Sequence, residues 1–102
     1  MTQVFDDKVR RCIASLFVQT CRPPSVEELS VRLATPANEI QAAWERLHES
    51  HALVLDEQTR TLLMASPFSC VPTPFQVEAG GRSWWANCIW DALGILALVK
   101  QD

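Results

Sequence analysis

Cys88 and Asp91 stand three residues apart in the stretch WWANCIWDALG, Trp84 to Gly94, among tryptophan and aliphatic side chains. Thiolate sulfur is a soft ligand that prefers soft metals, and the thiol form is itself a proton source. A carboxylate among apolar neighbours is costly to keep charged, so it either reaches a partner or holds a proton near neutral pH. At positions i and i+3 of one helix the two groups converge on one small object. A chemistry that uses both is cleavage of a carbon–metal bond: sulfur captures the metal, and the departing carbon, a poor anion, takes up a proton as it leaves. The structural alternative is that Cys88 packs as a small hydrophobe and Asp91 caps or bonds backbone near the helix start.

The elements that must position this pair begin with SPFSCVPTPFQVEAGG, which carries three prolines in eight positions. That composition predicts an extended arm from Pro67 to Pro74, a short strand Phe75 to Glu78 and a Gly80-Gly81 turn. Ser83 then caps a final helix from Trp84 onward, with Cys88, Asp91 and Ile95 on one face and Trp85, Ile89, Ala92 and Leu96 on the other.

Upstream, Val9, Cys12, Ile13, Leu16 and Phe17 recur at helical spacing between Asp6 and Thr20, which puts Cys12 on a core-facing stripe. Ser25 with Glu28 forms a capping box opening a short helix through Leu29 and Leu33. Thr35 as cap and Pro36 at the first helical position begin a third, whose inner stripe is Ile40, Ala43, Trp44 and Leu47. Ala52 to Leu55 and Thr61 to Ala65 read as strands of a hairpin. The expected fold is α+β: a winged helix-turn-helix over residues 1–66, with the Pro-rich arm and the Cys/Asp-bearing helix over 67–102 packed on it as one compact unit.

A winged helix often places its third helix in the DNA major groove. Here the polar face of that helix offers Asn38, Glu39, Gln41, Glu45, Arg46 and Glu49, three acids to one base, and the hairpin adds Asp56 and Glu57 against Arg60. The net charge is −3. Both argue against a phosphate backbone as partner. His48 and His51 read as solvent-facing polar residues at a helix end. The 102 residues suit one domain, and 48% hydrophobic content excludes disorder. MTQVFDDKVRR lacks a secretory n-region, which predicts a cytoplasmic protein, and the apolar run Ile89 to Val99 is too short to cross a bilayer. The cysteines Cys12, Cys21, Cys70 and Cys88 lie 9, 49 and 18 positions apart. They contain no CxxC pair, so neither a structural zinc site nor a disulfide framework is indicated.

The segment TPFQVEAGGRSWWANCIWDALGI resembles the active-site segment of the organomercurial lyases (alkylmercury lyases). That family's pattern has Thr-Pro, a short strand, a turn, an aromatic-rich helix start and Cys-x-x-Asp, matched here by Thr73-Pro74, Phe75 to Glu78, Trp84-Trp85, Cys88 and Asp91. The preceding winged-helix pattern is similar to the family's N-terminal region. The resemblance implies protonolysis of a carbon–mercury bond, with Cys88 as mercury ligand and proton donor and Asp91 as proton shuttle. It implies no cofactor, mercury being substrate or ligand, and a winged helix not used to read DNA. Two departures stand out. The family has a second cysteine well downstream, whereas this sequence reaches Asp102 without it, and Leu96 occupies a position where the family tends to have proline. Cys70, on the extended arm, is the candidate substitute ligand if the arm folds back toward the helix. The alternative function is a non-catalytic soft-metal-binding or winged-helix interaction module, with homodimerisation covering Leu93, Leu96, Leu98 and Val99.

Overall fold

The computed structural model describes residues 2–100, so the expected unit ends at 1 and 102 lie outside the described residues. Helix α1 spans Thr2–Thr20 and starts earlier than the apolar stripe required. It buries Val9, Ile13, Leu16 and Phe17, with Cys12 half-buried at the edge of the core. Burial raises the Cys12 thiol pKa, with Arg32 opposing. Helix α2, Val26–Leu33, opens on the expected box: Glu28 N donates to Ser25 Oγ at 3.1 Å, and Ser25 N donates to Glu28 Oε1 at 3.2 Å. Arg22 also donates to that carboxylate, and chiefly for this reason the Glu28 carboxyl lies below its ordinary pKa. Ser25→Ala removes the cap acceptor and is expected to cost about 1 kcal/mol in urea unfolding, with Ser25→Gly closer to neutral.

Helix α3, Ala37–Glu49, buries Ile40, Ala43, Trp44 and Leu47. Thr35 does not cap it. Its hydroxyl donates backwards to Leu33 O at 3.0 Å, and Pro36 stands at the N-cap without a side-chain bond. His48 is also not simply solvent-facing: its Nδ1 accepts from Leu55 N at 3.3 Å and ties the end of α3 to the first strand. Both bases of the α3 and hairpin surface are held internally. Arg46 makes a two-pronged contact with Asp6 at 2.8 and 2.9 Å, and Arg60 does the same with Glu45. The Arg60 contact holds the Glu45 carboxyl below its ordinary pKa.

Strands β1 (Leu53–Leu55) and β2 (Leu62–Ala65) pair antiparallel as expected. They are not a free-standing wing. With β3 (Phe68–Ser69), β4 (Phe75–Ala79) and β5 (Arg82–Ala86) they form one antiparallel five-stranded sheet in the order β1-β2-β3-β5-β4. The segment expected as an open arm therefore supplies a strand, and the sheet runs across the 66/67 boundary. The fold is α+β, with helix α4, Ile89–Lys100, following β5 and packing on β4 and β5.

The main departure from expectation is at Trp84. The residues Arg82–Ala86 are a strand, and the helix begins only at Ile89. Trp84 and Ala86 are buried while Trp85 faces out, the period-two alternation of a half-buried strand. The sheet uses this strand to close the C-terminal end of α1, whose last carbonyls have no intrahelical partner. Trp84 Nε1 donates to Phe17 O at 2.6 Å, and Arg82 donates to Val18 O at 2.8 Å. The Arg82 cation also suits the negative end of the helix dipole. Phe17 stacks on Phe68 with ring centroids 4.6 Å apart.

Candidate functional site

The β5 strand delivers the chain directly into the Cys88 region. Thr73 Oγ1 donates to Ala86 O, which fastens the Pro-rich connection to the end of β5. Asn87 Nδ2 then donates to Phe68 O at 3.4 Å and to Asp91 Oδ2 at 3.2 Å, so one amide links β3, the turn after β5 and the first turn of α4. Ala92 N donates to Cys88 O at 3.0 Å, the first intrahelical bond, which makes Cys88 the N-cap residue and Asp91 the third residue of the helix.

Cys88 is thus at the mouth of the helix rather than one turn inside it. The three-residue spacing survives this shift as the N-cap and third positions of one helix start, where a capping box would turn each side chain toward the other's backbone N–H. Both residues are half-buried, neither sealed in the core nor fully in solvent. The expected enclosure of Asp91 by tryptophans is absent. Trp84 is turned into the core beneath α1, and Trp85 and Trp90 are exposed. Beside the pair, Ile89, Trp90 and Leu93 form an exposed apolar flank, 56%, 77% and 52% accessible. Leu96, Leu98 and Val99, expected on that surface, instead pack partly against the core, because Ile95 on the inner face of α4 is fully buried. A Cβ at Gly94 would stand 3.6 Å from Pro67 Cβ, an ordinary van der Waals contact, so α4 runs beside the β2–β3 turn.

Cys70 does not fold back toward this end. Its N–H is fixed to Leu63 O at 2.9 Å, and extension of the β3–β5 register sets Cys70 opposite Trp84. Cys88 lies four residues further along from Trp84, beyond the end of β5. Cys70 lines a small cavity with Cys21, and burial pushes its thiol up to about 12. Among the described residues, no three His, Cys, Asp or Glu side chains gather so as to hold a metal ion. A cleft of about 760 Å³ between α2, α3 and the β1–β2 hairpin is lined by Arg22, Trp44 and Arg60 and lies away from Cys88 and Asp91. No described helix is long and apolar enough to cross a membrane.

Asn87, bonded to Asp91, is the residue that spacing arguments missed. Its signal was present, an Asn just before a helix start, but was hidden by placing that start at Trp84. Neither the curated proteins nor the solved structures contain a match to this chain. Residues 68–102, about a third of the chain and including β3, β4, β5, Cys88 and Asp91, match the family model described as alkylmercury lyase (MerB), and in this segment the chain is similar to that family.

Proposed function

We propose that the β5–α4 junction captures an organomercurial through Cys88 and that Asp91 relays the proton that replaces mercury on carbon. The observation that carries this reading is that the alkylmercury lyase match falls on the segment in which Cys88 caps α4 and Asp91 occupies its first turn. In the first step the Cys88 S–H bond breaks, sulfur bonds to mercury, and the displaced ligand leaves with the proton. In the second, Asp91 takes the proton of an added thiol and passes it to the carbon as the C–Hg bond breaks, and the thiolate so formed bonds to mercury. The hydrocarbon departs, and Hg(II) stays on the Cys88 sulfur with an added thiol as its second ligand. Asn87 orients the Asp91 carboxylate, and Ile89, Trp90 and Leu93 offer apolar contact to the organic group.

The N-terminal part is read as a winged helix whose hairpin has been absorbed into the larger sheet. With Arg46 and Arg60 occupied by carboxylates, it serves packing or a protein partner rather than DNA. A cytoplasmic setting would keep the thiols reduced, and a second copy covering Ile89, Trp90 and Leu93 is the simplest dimer. The separation of Cys70 from Cys88 favours a second reading, in which the chain captures the organomercurial without cleaving it. One experiment separates the two: incubation with an organomercurial and excess thiol, followed by gas chromatography of the headspace. Catalytic release of free hydrocarbon is the expected result. Stable capture with no hydrocarbon leaves only the binder.

A further inference from the structure

The C-terminal end of α1 and the end of β3 bring a second pair of thiols together. Cys21 and Cys70 line the same cavity of about 20 Å³, walled by Phe17, Phe68 and Trp84. That volume admits one water-sized object and no organic group. Cys21 lies in the left-handed conformation at φ 61, with its N–H bonded to Phe17 O at 2.9 Å. A residue just past a helix end in this conformation is usually glycine, since a side chain there adds strain. Ala34 and His51 take the same conformation after α2 and α3, so what sets Cys21 apart is that it lines the cavity that Cys70 shares. Cys70 is fixed from the other side by its bond to Leu63 O.

We propose that Cys21 and Cys70 form a two-coordinate site for a single thiophilic divalent cation, separate from the Cys88 region. Two S–H bonds break, two sulfur–metal bonds form, and two protons pass to solvent. The product of a divalent ion with two thiolates is neutral, so an apolar cavity can hold it without a buried net charge, whereas a monovalent ion would leave one negative charge unpaired. Zinc is disfavoured because it requires four ligands, and no third His, Cys, Asp or Glu joins the pair among the described residues. What remains is a soft ion content with linear sulfur coordination, for which Hg(II) is the practical probe. This site does not depend on the organomercurial reading.

The test uses the full chain carrying Cys12→Ala and Cys88→Ala, titrated with mercuric chloride against millimolar glutathione, which strips metal from isolated thiols. Native mass spectrometry is expected to show one metal per monomer with two protons lost. Adding Cys21→Ala or Cys70→Ala is each expected to abolish retention. Retention by either of these variants, metal-bridged dimers, or no retention in the starting chain overturns the proposal. If the starting chain is unfolded by circular dichroism, the otherwise unaltered protein is compared with Cys21→Ala, Cys70→Ala and their combination. Loss of the same single metal in all three supports the site, and additive losses overturn it.

Discussion

Cys88→Ser is expected to abolish both retention of an organomercurial and release of hydrocarbon, whereas Asp91→Asn is expected to keep retention and lose release. The two outcomes differ because the residues act on different atoms. Serine oxygen is a hard ligand and has no comparable affinity for mercury. Asparagine keeps the size of the Asp91 side chain and can still accept from Asn87, so the helix start should survive, but it carries no transferable proton. Loss of a positioned acid typically costs 10²- to 10⁴-fold in rate, so the Asp91→Asn chain should bind with unchanged stoichiometry and release hydrocarbon at about that deficit. Equal loss of binding in both variants would remove the division of roles. Unaltered release by Cys88→Ser would place the chemistry elsewhere.

The largest stability effect is expected at Trp84. Its ring is 3% exposed, and its Nε1 supplies one of the donors that satisfy the end of α1. Trp84→Ala removes a buried aromatic side chain and should destabilise the protein by about 3–5 kcal/mol, with a fall in thermal midpoint of order 10 °C or more. Trp84→Phe retains most of the apolar volume and loses the bond to Phe17 O, for which about 1 kcal/mol is expected. Arg82→Ala should cost less than Trp84→Ala, since the guanidinium is only half-buried. Chemical denaturation of the three variants measures the order, and an unchanged midpoint for Trp84→Ala would contradict the closure of α1 by β5.

The helical stripes of α1 and α3, the Ser25–Glu28 box and the β1–β2 hairpin could be read because each is set by residues a few positions apart. The run Trp84-Trp85-Ala86 could not. Three apolar residues fit a helix start and a half-buried strand equally well, and pairing with Phe75–Ala79 across the Gly80-Gly81 turn, together with Phe68 and Ser69, decides for the strand. The same long-range pairing turned an expected arm into β3 and took Cys70 away from Cys88. Thus the residues of the candidate site were legible as chemical types at a fixed spacing, while Asn87, the half-buried setting of Asp91 and the shared cavity of Cys21 and Cys70 depended on pairings between strands.

The bonds from Trp84 to Phe17 and from Arg82 to Val18 bridge 67 and 64 positions. During synthesis the end of the first helix therefore keeps only its local bonds, such as that from Cys21 to Phe17, until ribosomal elongation has delivered Arg82 and Trp84. Local contacts form early and distant ones late, so acquisition of the native state is tied to the emergence of β5, and a nascent chain halted before it has neither a finished core nor a closed end to its first helix.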